Sequence, residues 1–188
     1  MKILFTLFIL LFSSSVLAED ISDFEIEGMS IGDSLLDYVS KKEILENKRN
    51  YFPDLDNTFS MSAFENFLSS NLYDWIQIGY FTNDRKFIIQ IIDGVISYID
   101  NIDECYSEQD NIKNELSRSF DLNAADWDFY ETDDPNTGDN FTTYLIVLKS
   151  GIEIVLSCQD WGDEENRYFD HLKINIATKQ FNDWVYSR

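Results

Sequence analysis

Trp75-Ile-Gln-Ile-Gly-Tyr-Phe81, Lys86-Phe-Ile-Ile-Gln-Ile-Ile92 and Val95-Ile-Ser-Tyr-Ile99 follow one another closely, as short runs rich in β-branched and aromatic residues. Such runs fit a pleated, half-buried surface better than a helix. Asn83-Asp84 and Asp93-Gly94 lie between them and are residue pairs that tolerate positive φ, so the spacing predicts a three-stranded antiparallel meander. Downstream, Ile102, Cys105, Ile112, Leu116 and Phe120 recur at intervals near three and four with polar residues between, which predicts an amphipathic helix lying on that sheet.

A second set of strand-like runs follows: Trp127 to Thr132, Thr142 to Leu148, Ile152 to Cys158 and Tyr168 to Ile176. They are separated by Asp133-Asp-Pro-Asn-Thr-Gly-Asp139, Ser150-Gly151 and Asp160-Trp-Gly-Asp-Glu-Glu165, all turn-forming in composition. Upstream, Asp33 is a candidate N-cap for a short helix at 33–39. Ser40-Lys-Lys-Glu43 has capping-box spacing for another at 41–48. Residues 50–71 are compatible with a strand or with a short helix at 61–68. Thr178 opens a last helix anchored by Phe181, Trp184 and Val185. The expected fold is α+β, a mostly antiparallel sheet of two meanders joined by an amphipathic helix, with helices on one face.

The chain opens Met1-Lys-Ile-Leu-Phe-Thr-Leu-Phe-Ile-Leu-Leu-Phe12 and continues Ser13-Ser-Ser-Val-Leu-Ala18. One positive charge, an apolar run too short to span roughly 30 Å of hydrocarbon, and small residues at Val16 and Ala18 are the parts of a cleaved secretory signal peptide. Cleavage is expected after Ala18, and Glu19 stands where a lipoprotein would carry cysteine. Residues 19–188 then form a single acidic domain exported to the periplasm or beyond. Lys2 leaves with the leader, so 13 basic residues face 35 acidic ones. Such a surface repels nucleic-acid backbones and anionic membranes, and no membrane insertion is expected after cleavage.

In an oxidising compartment Cys105 and Cys158 are disulfide candidates. Cys105 shares the apolar stripe of its helix with Ile102 and Ile112. Cys158 shares a strand face with Ile152, Ile154 and Leu156, so both point to the helix–sheet interface. His171 is the only histidine, and alternation sets it with Phe169, Lys173 and Asn175 on the wetter face of its strand. No G-x-S-x-G or H-E-x-x-H pattern accompanies it. Asp133 to Asp139 fails the EF-hand test taken from Asp134, because Gly138 and Asp139 reverse the required order and Leu145 replaces the closing Glu. Trp161 among Asp160, Asp163 and Glu164 is a candidate ligand site, since an aromatic plane beside acidic acceptors binds sugars and paired carboxylates can hydrolyse them.

Phe24 to Ile44, with Asp93-Gly94, Ile102-Asp-Glu-Cys-Tyr106, Ser157-Cys-Gln-Asp-Trp161, Asp170-His-Leu172 and Phe181-Asn-Asp-Trp184, resembles a group of uncharacterised small exported proteins of AT-rich marine alphaproteobacteria. That resemblance covers most of the chain after the leader and implies a Gram-negative periplasmic setting, but no activity, cofactor or catalytic residue. A looser likeness to small outer-membrane assembly factors rests on the Ile31-Gly-Asp-Ser34 opening followed by a meander. The functional expectation is a non-catalytic binding or interaction protein without a cofactor, its partner a protein or a small molecule. The alternatives are a carboxylate-dependent hydrolase using Asp160, Asp163 and Glu164, and a calcium-stabilised structural protein.

Overall fold

The computed structural model describes residues 24–65, 67, 72–99, 101–135, 137–162 and 169–187. The leader expected over residues 1–18, with its expected cleavage after Ala18, lies outside them. Ser40 leaves the extended region to open helix α1 (Lys41–Glu46), its Oγ accepting from the Glu43 N–H at 3.3 Å. The expected helix at 33–39 contracts to one 3-10 turn, Leu35–Asp37. Its cap is Ser34 rather than Asp33. The Asp33 carboxylate instead accepts from the Ser30 N–H and the Tyr38 hydroxyl, tying the preceding loop to the turn.

Eight strands among the described residues make one antiparallel sheet. They are β1 (Lys48–Arg49), β2 (Phe59–Glu65), β3 (Trp75–Phe81), β4 (Ile89–Ser97), β5 (Asp128–Asp134), β6 (Asp139–Val147), β7 (Glu153–Asp160) and β8 (His171–Ala177). Their order is β1-β2-β3-β4-β8-β7-β6-β5. Sequential strands therefore pair within each half, and the halves meet where β4 lies against β8. Helix α2 (Ile102–Ser119) connects them, and helix α3 (Lys179–Val185) closes the described chain.

Asp93-Gly94 is not a turn. Strand β4 runs straight through it, with Asp93 opposite Asn175 and Gly94 opposite Ile174. The glycine answers a different requirement: a Cβ there would stand 2.5 Å from the Tyr73 ring, which covers that point of the strand. Asn83-Asp84 does turn the chain. The Asp84 carboxylate accepts from the N–H groups of Lys86 and Ile88, each at 2.9 Å, and Phe87 takes φ 52° before β4 begins. The ambiguous 50–71 region contributes β2, seven residues paired along their whole length with β3.

Alternation sorts the strands onto two faces. On the inner face Ile76, Ile78, Tyr80, Ile92, Ile154, Leu156, Cys158, Leu172, Ile174 and Ile176 are buried together with Ile26, Met29, Leu35, Ile44, Cys105 and Leu116. Helix α2 packs here against β7 and β8. Cys105 and Cys158 are bonded, with Cα atoms 6.0 Å apart. Beside them Gln109, buried, donates Nε2 to the Thr142 and Leu156 carbonyls, each at 2.9 Å, and accepts from the Thr142 hydroxyl.

The expectation of helices on one face fails at α3. Phe181, Trp184 and Val185 pack on the opposite, outer face against Phe59, Met61 and Ile91. The reason lies in strand parity, because Phe59, Met61, Ile91 and Ala177 are apolar at outward positions and require their own cover.

Candidate functional site

Helix α3 covers only one end of the outer face. The rest is an open groove of about 720 Å3. Cross-strand register builds its floor row by row. Gln77, Asp93, Asn175 and Val155 are successive partners across β3, β4, β8 and β7. Trp75, Val95, Lys173, Ser157 and Thr143 form the next row, and His171 with Gln159 and Phe141 the one beyond. Tyr51, Phe181 and Tyr186 stand at the α3 end, with Trp161 and Phe169 at the other.

At the centre is a compensated ion pair. Lys173 Nζ lies 3.1 Å from Asp93 Oδ2, the carboxylate side chain being 3 % exposed and the lysine 33 %. Asn175 Nδ2 donates to the other carboxylate oxygen. Buried charge is tolerated only when paired and hydrogen-bonded, and both conditions hold here. The aromatic walls are ordered: Trp75 and Phe169 stack with centroids 5.0 Å apart and planes at 25°, while Phe141 and Trp161 meet edge-on at 4.7 Å.

Burial holds the His171 imidazole below its ordinary pKa, although the Phe169 carbonyl beside it raises the value and Lys173 lowers it further. Its Nδ1 is 2.8 Å from that carbonyl. A carbonyl only accepts, so Nδ1 carries the proton of the neutral ring and Nε2 is left as an acceptor. Glu153, near α3, is raised by burial. Asp160 is raised by burial and by the charges of Asp170 and Asp139.

The residues singled out from sequence are scattered relative to this groove. Trp161 lines it, its backbone N–H donating to the Asp170 carboxylate at 2.9 Å. Asp160 ends β7 opposite Asn140. Asp163 and Glu164 lie outside the described residues. Among the described residues no group of three His, Cys, Asp or Glu side chains is placed to hold a metal ion. Sequence reasoning missed Trp75, Asp93 and Gln159. The polar face of β8 was visible as His171, Lys173 and Asn175, but its partner Asp93 was hidden inside an apparent turn signal. Comparison of the chain with protein-family models, with curated proteins and with solved structures returned no match.

Proposed function

We propose that this is an exported, non-catalytic binding protein of the periplasm or extracellular space, and that the outer-face groove receives its ligand or partner. We read its frame as two meanders joined by the amphipathic helix α2, stiffened by the Cys105–Cys158 bond. A disulfide, and the lack of any helix among the described residues long and apolar enough to cross a membrane, are compatible with export. The observation that carries the reading is the groove itself: a polar, charge-compensated floor between aromatic walls, on a rigid sheet. Binding sites are typically concave, with aromatic lining and a few fixed polar groups. The acidic surface argues against nucleic acid as the partner.

Thermal melting of the chain from Glu19, in its oxidised form, against calcium, sugars, amino acids, peptides and lipid fragments tests it. A ligand at 100 times its dissociation constant adds about 2.7 kcal/mol, a shift of about 5–10 °C in a domain of this size. The expected result is a shift with one chemical class that is lost in Trp75→Ala. If nothing shifts, and if the Trp75→Ala and Gln159→Ala proteins capture the same envelope partners as wild type, the groove is not the binding site.

A further inference from the structure

We infer that the groove takes a neutral saccharide, an inference that rests on the groove being the binding site. Charge decides first. Lys173 is the sole Lys or Arg among the described lining residues and is held by Asp93, so no free positive charge remains for an anionic ligand. Glu153 is the remaining carboxylate of the lining, and the whole chain carries a net charge of −21. Carboxylates, phosphates and sulfates are therefore repelled.

Hydrogen-bonding capacity decides next. The side-chain amides of Gln77 and Gln159 are not engaged by any described residue, and each offers both donors and an acceptor. His171 Nε2 is an acceptor. Lys173 keeps N–H donors beyond the one turned to Asp93, and the Thr143 and Ser157 hydroxyls bond each other at 3.1 Å with capacity to spare. A ring bearing neighbouring hydroxyls needs this mixture, because each hydroxyl both gives and accepts. The stacked Trp75 and Phe169 supply flat apolar surface for the C–H face of such a ring.

An extended peptide is a poorer fit. The groove lies on the face of the sheet, where the backbone groups of β3, β4, β8 and β7 are consumed by the ladder, so strand addition has no edge to use. A purely apolar ligand would strand the glutamines, the imidazole and the lysine without partners.

The test is titration of the oxidised protein with neutral disaccharides and trisaccharides of glucose, xylose, mannose and N-acetylglucosamine, following tryptophan emission and heat. Uronic acid oligomers and an unstructured peptide serve as comparisons. Saturable binding of a neutral member, weakened about tenfold or more in both Trp75→Ala and Gln159→Ala but unchanged in Phe129→Ala on β5, is expected. Circular dichroism of each variant checks that the fold persists, and Trp75→Phe provides a milder change. Saturation by an acidic oligomer or the peptide alone, with the same loss in the groove variants, overturns the saccharide assignment while leaving the groove as the site. Saccharide binding unaffected by all three groove variants overturns both.

Discussion

At the scale of single residues the outer face turns on Asp93 and Lys173, whose unequal exposure makes their substitutions unequal. Lys173→Met strands a carboxylate that cannot reach water, and breaking a buried pair in this way costs about 3–5 kcal/mol. Asp93→Asn leaves the partly exposed ammonium to hydrate and keeps a polar group beside Asn175, so about 1–3 kcal/mol is expected. Urea denaturation of the two variants checks the order, and a Lys173→Met protein the more stable of the pair contradicts it. His171 adds a pH dependence with a definite sign. Its folded pKa lies below the unfolded value, so its contribution is full above about pH 6.5 and is lost as pH falls through that value towards the lowered one. Glu153 and Asp160 are shifted up and act in the opposite sense. The comparison that isolates the histidine is wild type against His171→Gln, by urea melts from about pH 7.5 down to about pH 5. The stability advantage of wild type is expected to shrink as the pH drops.

Among the elements, α2 carries the strongest tie between helix and sheet. The disulfide closes a loop of sequence separation 53, which the chain-entropy model values at about 4 kcal/mol. Cys105→Ala with Cys158→Ala is therefore expected to melt about 8–16 °C lower than the oxidised parent, measured by differential scanning calorimetry. Both sulfurs are fully buried, and Gln109 holds the same helix to β6 and β7, so the reduced protein retains a second attachment. Strand β5 is the other element with a distinct character. It is a sheet edge, almost wholly exposed, and carries Asp128, Glu131, Asp133 and Asp134. Charged side chains on an open edge oppose strand-to-strand association of copies. Helix α3 completes the groove by covering the apolar end of the outer face and leaving the polar end open.

For the whole molecule, a net charge of −21 sets carboxylates against one another, and salt bridges of the exposed kind, such as Lys42–Glu46 and Lys179–Asp183, offset little of that. Added sodium chloride is therefore expected to raise the melting temperature between low ionic strength and about 0.15 M, where screening acts over roughly 8 Å. A fall in melting temperature over that range means that attractive pairs outweigh the repulsion. The α+β class, a helix carrying Ile102, Cys105, Ile112 and Leu116, the strand-rich character of the two halves and the inward placement of both cysteines were legible in the sequence, since each depends on local periodicity: near 3.6 for α2, and 2 for β7 and β8. The last helix and its Thr178 cap were legible for the same reason. Periodicity says which residues share a face, but not what covers it. Only the tertiary structure decided that α3 lies opposite α2, that Asp93-Gly94 continues a strand with Tyr73 packed over the glycine, and that β4 and β8 are neighbours. The groove follows from that last pairing. It unites Asp93 with Lys173 and Asn175, and Trp75 with Phe169, residues distant in the chain that no local pattern could have brought together.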